Sequence, residues 1–413
     1  MTLPPSKPPV DFSLGFYARQ PIFDDKGAIW AYSLYFRDGI EAAVPPETHQ
    51  ANATHEVLST ILGEGRGKRL VIKFPAQSLL YELPLLFPNQ SLVVEVNEDL
   101  AVDVQALDAL RKIKAKGYLV AVSHFSAKPE AGVLHSLADV LWVDALSASD
   151  GTLARLADSC QRFPSLHGLM RVEEPCVYER GMALGFRLFQ GHYFQQPETM
   201  CTRKLSSSQF SRLKLLQTIA QEDPDFKALA ETIRTDVALS YKLFGLLNST
   251  YFSLPTIVQS VKQAMSLLGW EPLRTWIRLI ILTDLTPDRK TSELPRAAAL
   301  RGRFLELSAQ GRTSPTPDSL FLMGLFSLLP AMLDQPMEKI LDGLHLPAEV
   351  RTALTEQQGP YAEWMELAVA FERADWARVQ VALTALGLEP LPVATAYAEA
   401  VEWTDSLFRN VPA

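Results

Sequence analysis

Leu70-Val-Ile-Lys-Phe74, Leu92-Val-Val-Glu-Val96, Tyr118-Leu-Val-Ala-Val122 and Val140-Leu-Trp-Val143 decide the fold. Each is a short block that is apolar on consecutive positions, broken by one charge at most. A strand with one wet face alternates apolar and polar residues. A block apolar on both parities is a strand covered on both faces, the habit of parallel sheets. With Leu166–Val172 added, the block centres lie roughly 22–28 residues apart, the length of one strand plus one helix. Helical segments fill the gaps, such as Val104–Lys114 with Leu107, Leu110 and Ile113 on one face. Upstream, the runs Phe16–Pro21 and Ile29–Phe36 flank Asp24-Asp25-Lys26-Gly27 and read as an opening β-hairpin. This spacing predicts an α/β barrel over the first 200 residues, with an open doubly wound sheet as the alternative.

After about residue 205 the period becomes helical only. Ser260 and Gln263 form a capping box, Val261, Ala264, Met265 and Leu268 share a face, and Gly269 ends the segment. Pro272 is expected to open the next helix, in which Leu273, Trp276, Ile277, Ile280 and Ile281 recur at helical spacing. Leu239, Leu243, Leu246 and Leu247 repeat the pattern after Asp236, and Gly311–Pro317 marks a loop. The expected domains are therefore 1–200, an α/β barrel, and 205–413, all helical.

The composition bounds the function. Of 413 residues, 47% are hydrophobic and 21% charged, and the net charge is −8, shared by both halves. That leaves no basic footprint for a nucleic-acid polymer. Cys160, Cys176 and Cys201 form no CxxC pair and read as free thiols in a reducing compartment. The proline-bearing start is not a signal peptide. The uncharged stretch between Asp318 and Asp334 contains Gly324 and Pro330 and falls short of the roughly 20 residues that span a bilayer. The chain is expected to be cytoplasmic, with no membrane partner.

In a barrel, functional side chains stand where strands end and loops begin. Those points are Arg37, Glu95, Ser123-His124, Asp144, Glu173 and Gln190. Three carboxylates around one mouth offer hard oxygen ligands to a divalent metal, but a two-metal hydrolase needs a fuller clamp. Lys73 would repel a cation, Trp142 and Met170 add only bulk, and His124 has no second histidine at ligand spacing.

Tyr17-Ala-Arg-Gln-Pro-Ile-Phe-Asp24, Tyr32-Ser-Leu-Tyr-Phe-Arg37 and Phe189-Gln-Gly-His-Tyr-Phe194 with Pro197 resemble the EAL domain. The resemblance implies a (β/α) barrel that hydrolyses cyclic di-GMP with metal ions. Thr235-Asp-Val-Ala-Leu-Ser-Tyr-Lys-Leu243, Leu247-Asn-Ser249, Gln263-Ala264 with Leu267-Leu-Gly269, and Gly324-Leu-Phe-Ser-Leu328 resemble the HDOD domain. Against the EAL pattern, the Glu of Glu-x-Leu-x-Arg is Ser33, an Asn is Lys73 and Asp-Asp-Phe reads Ser123-His124-Phe125. The Lys of Lys-x-Asp is Trp142, and the first Glu of Ala-Glu-x-Val-Glu is Met170. What remains by correspondence is Arg37, Glu95, Asp144, Glu173 and Gln190, a ligand-binding set without a catalytic or metal-binding group. In the helical half an HD-type metal site fails too, because His345 is its one histidine and Leu346 follows it. The resemblance then implies a non-enzymatic signalling protein, needing no cofactor, whose helical domain binds another protein. A receptor that binds cyclic di-GMP without cleaving it is the alternative. A homodimer through the barrel is a further implication of the family.

Overall fold

The computed structural model describes residues 17–37, 67–146, 150–196, 207–219, 261–286, 291–342 and 346–409, with a few isolated positions between them. The chain divides into two compact units, Met1–Tyr193 with Phe371–Trp376, and Phe194–Ala370 with Ala377–Ala413.

Eight strands of the first unit close into a barrel in sequence order. β1 (Tyr17–Asp24) and β2 (Ile29–Phe36) form the hairpin read from the sequence. Gly27, with φ of 76°, takes the left-handed turn that a side chain resists. β3 (Arg69–Lys73), β4 (Leu92–Asn97), β5 (Leu119–Ser123), β6 (Val140–Asp144), β7 (Leu166–Met170) and β8 (Leu188–Gln190) follow. All neighbours from β2 to β8 pair in parallel, while β1 runs antiparallel to both β2 and β8. The carboxyl ends of seven strands therefore meet at one mouth. The doubly wound alternative is excluded by this closure.

Helices pack outside. α1 (Val104–Ala115) buries Ala106, Leu107, Leu110 and Ile113. It begins at Asp103, whose carboxylate accepts from the Ala106 amide at 3.0 Å, satisfying an otherwise orphaned donor. Inside the barrel, Ile22, Ala31, Val71, Val93, Ala121, Val140, Trp142, Met170 and Leu188 make one apolar plug. Gly168 sits opposite Trp142 on β7, and a Cβ there would lie 2.2 Å from the indole. Only a glycine leaves room for that ring.

The second unit is helical throughout its described residues. α2 (Ser207–Ile219), α3 (Val261–Leu268), α4 (Trp270–Leu285), α5 (Glu293–Ser308), α6 (Pro317–Phe326) and α7 (Pro390–Arg409) frame it, with shorter helices between. Gly269 has φ of 82° and joins α3 to α4, and α4 begins two residues before the expected Pro272. α5 and α6 cross where Gly302 meets Gly324. A Cβ on Gly324 would fall 2.7 Å from the Gly302 Cα, so the two backbones touch. Leu273, Ile277 and Ile281 are fully enclosed and Trp276 nearly so, in the main core of this unit. Ser260, Leu239, Leu246, Asn248 and Ser249 lie outside the described residues. Among the described residues no single helix is long and apolar enough to cross a membrane.

Candidate functional site

The barrel interior fixes which strand-end residues face the mouth. Side chains two apart along a strand share a face. The plug residues Ala31, Val71, Val93, Ala121 and Leu188 therefore put Ser33 and Tyr35, Lys73, Glu95, Ser123 and Gln190 on the inward parity. On β6, Val140 and Trp142 are followed on that parity by Asp144. These residues rim a funnel whose floor is Trp142 and Met170, both buried.

Three of the expected ligand-binding residues, Glu95, Asp144 and Gln190, come together here. Glu95 stands in register with Lys73 on β3. Burial pushes the Glu95 carboxyl up from its usual range, and the nearby Lys73 ammonium and a hydrogen bond from Ser123 offset part of that. Gln190 donates to the Tyr35 hydroxyl at 2.6 Å and to the Gln20 side-chain oxygen at 3.2 Å. Burial, then the negative charge of Glu95, raise the Tyr35 phenol far above its ordinary value. Tyr35 is thus a neutral hydroxyl at the mouth.

Asp144 is held by Arg171. The guanidinium Nε donates to Oδ1 at 2.7 Å and Nη2 reaches Oδ2, a bidentate clamp, while the Leu146 amide also donates to Oδ1. Arg171 is the first residue beyond β7, with φ of 58°, a region non-glycine residues enter at a cost. Sequence reasoning gave Arg171 no role, because residue type does not announce this turn. His124, at φ of 61° after β5, lies within electrostatic reach of Lys73, Asp144 and Arg171. Lost hydration, then the Lys73 charge, lower its pKa, so the ring is neutral near pH 7.

A fourth expected residue, Glu173, is tied to this rim through His192 and Gln20. Glu173 accepts from His192 at 3.3 Å, and His192 also faces the Gln20 amide at 3.0 Å. Despite its burial, the Glu173 carboxyl is held below the usual range by His192. Arg37 follows β2 and is half-buried. Behind the rim, a pair missing from the sequence reading locks the loop after β4. Buried Glu98 accepts from the Ser126 amide at 2.8 Å and from His135 at 2.8 Å, and it also takes the Ser126 hydroxyl. Its burial alone would raise the carboxyl, but these bonds hold it low.

The metal pair implied by the EAL resemblance does not fit this donor set. Both Asp144 oxygens face Arg171, Glu95 lies within the field of the Lys73 charge, and Glu173 is engaged by His192. Among the described residues no group of three or more His, Cys, Asp and Glu side chains gathers to hold a metal ion.

Comparison with known proteins finds matches over each part of the chain. Residues 207–329 match the HDOD domain. The chain is 29% identical to protein YuxH of Bacillus subtilis (strain 168) over 404 residues, covering 95% of this chain and 98% of that protein. It is also 29% identical over 409 residues to the cyclic di-GMP phosphodiesterase CdgJ of Vibrio cholerae serotype O1, covering 96% of this chain and 94% of that protein. Among solved structures, the FimX EAL domain shares 20% identity over 44% of this chain and 90% of that one, at a TM-score of 0.34. The PaMucR phosphodiesterase in complex with c-di-GMP shares 15% over 42% of this chain and 88% of that one, at 0.33.

These findings correct the expectation of a protein without enzymatic activity, and with it the alternative of a receptor that binds without cleaving. A relative aligned nearly end to end bears the name of a phosphodiesterase, and nothing in the structure shows this chain to be non-catalytic. The expectation counted replaced residues by type. It weighed the Lys73 charge but gave Arg171 no role, and the two bring positive charge to the same rim, which is what a phosphodiester demands of its site. Residues 207–329 are thus an HDOD domain, carried on one chain with a closed eight-stranded barrel.

Proposed function

We propose that this chain is a phosphodiesterase of cyclic di-GMP whose nucleotide site is the mouth of the barrel. The observation that carries the reading is the alignment with CdgJ over 96% of this chain and 94% of that protein, which spans both units rather than one. The mouth supports it. Lys73 and Arg171 oppose phosphate charge, Tyr35 and Gln190 offer neutral hydrogen-bonding groups, and Glu95, with its raised pKa, is suited to hold or release a proton. The ligand-binding set is read as Arg37, Glu95, Asp144, Glu173 and Gln190, the rim position of Glu95, Asp144 and Gln190 being its support. Purified full-length protein incubated with cyclic di-GMP, with magnesium, with manganese and with EDTA, tests the function. Linear dinucleotide product is expected, and its absence in all three conditions at saturating substrate overturns the reading.

We further infer a cytoplasmic location, a protein partner for the helical unit, a homodimer through the barrel and a domain junction between residues 200 and 205. Fractionation, affinity capture and sedimentation of the full chain, and limited proteolysis at the junction, each test one of these.

A further inference from the structure

We propose that the barrel mouth holds the phosphates of its nucleotide with two fixed cationic side chains, Lys73 and Arg171, where a divalent metal pair would otherwise stand. The inference rests on the reading that the mouth takes cyclic di-GMP.

Three features of the rim point the same way. First, the carboxylates that would ligate a metal are committed. Asp144 is only 6% exposed, and its two oxygens receive the Arg171 guanidinium and the Leu146 amide. A hard divalent cation would have to displace that clamp and still collect the rest of an oxygen shell of about six ligands. Second, the cations are placed rather than incidental. Lys73 ends β3 on the inward parity, in register with Glu95, and its charge acts on Glu95 and on His124 at the same rim. Arg171 is anchored at one edge by Asp144, yet its side chain is 49% exposed, and it faces the solvent of the mouth. Third, the neighbours leave these charges in force. His124 adds no charge near pH 7, because lost hydration and Lys73 lower its pKa, and Tyr35 stays neutral.

A cyclic dinucleotide presents two singly charged phosphodiesters. A fixed guanidinium binds such an oxygen pair through a planar fork, and an ammonium binds it as a point charge. Asp144 clamps Arg171, and the Glu95 carboxyl near the Lys73 charge moderates the field. Nucleotide affinity is then independent of divalent metal and falls with ionic strength, since partly exposed charges are screened.

Isothermal titration of the full chain with cyclic di-GMP, in EDTA and again in excess magnesium, tests this beside the turnover assay. The expected dissociation constants agree within about twofold. Lys73→Asn weakens binding about ten- to hundredfold in both buffers, the loss of one charge-assisted contact. Arg171→Lys, which keeps the charge and loses the fork, weakens it less, and thermal melting of each variant confirms that it is folded. Binding that appears only with magnesium, or that Lys73→Asn leaves unchanged or tighter, overturns the fixed-cation inference and leaves the proposed function standing. No binding in either buffer, together with no turnover, removes the proposed function itself and the inference with it.

Discussion

Replacing Gly168 by alanine tests whether the indole of Trp142 is the floor of the barrel mouth. The added methyl would lie 2.2 Å from Cζ3, 2.3 Å from Cε3 and 2.9 Å from Cη2 of Trp142. Carbon atoms settle at about 3.5–4.0 Å, so the ring must retreat by more than an ångström. Trp142 is fully enclosed, among Val71, Val93, Ala121, Val140 and Met170, and a closed barrel gives it nowhere to go. Overpacking typically costs 1–3 kcal/mol, and a rigid ring against a fixed backbone belongs at the upper end, about 3 kcal/mol. Trp142→Ala alone should cost about 3–5 kcal/mol through the lost transfer energy and the cavity. In the double variant the new methyl enters the space that the indole vacated, so its loss should fall short of the sum by at least about 1 kcal/mol. Native-state hydrogen exchange of the β6 and β7 amides in the full chain reads these losses for the barrel alone. A Gly168→Ala change below about 0.5 kcal/mol, or strict additivity in the double variant, would refute the packing argument.

Three further outcomes are expected. Asp103→Ala removes the amino-terminal cap of α1 and should lower barrel stability by about 1 kcal/mol in urea unfolding. Because Glu98 is held below its ordinary range in the folded chain, its contribution is fully present above the unfolded carboxylate range and lost as pH falls through the folded value. Glu98→Gln should therefore flatten the acid limb of the pH–stability curve, and an unchanged limb would exclude that account. Burial pushes the Cys160 thiol up to about 12, while Cys176 is exposed. Iodoacetamide at pH 8, followed by peptide mass analysis, should label Cys176 and spare Cys160 in the folded protein.

The barrel was legible because burial on both faces leaves a mark on residue type. Leu92–Val96 and Val140–Val143 read as two-sided strands and became β4 and β6. The mouth was legible in part for the same reason, since a strand end can be counted from its apolar block, which put Glu95 and Asp144 at the rim. Two things were not legible. Arg171 acts through a left-handed turn at a residue with a Cβ, a choice enforced by the surrounding chain and not by the side chain. Glu98, Ser126 and His135 meet across 28 and 37 residues of sequence, and no local pattern records a meeting at that distance. Residue type also misled, because the replacements at family positions were weighed chiefly as lost metal ligands. The structure shows Met170 and Trp142 packed as floor, while Lys73 brings charge to the rim.

The reversed first strand has a consequence for how other proteins meet the barrel. β1 closes the sheet by pairing with both β2 and β8, so the ring has no first or last strand. An open sheet offers a row of unclaimed amides and carbonyls along its border, and an extended peptide can bind there by main-chain hydrogen bonds alone. Here closure of the described strands leaves the sheet without such a terminal strand. Among the described residues, a partner of the barrel meets loops, helices and the charges of the rim rather than a free strand border.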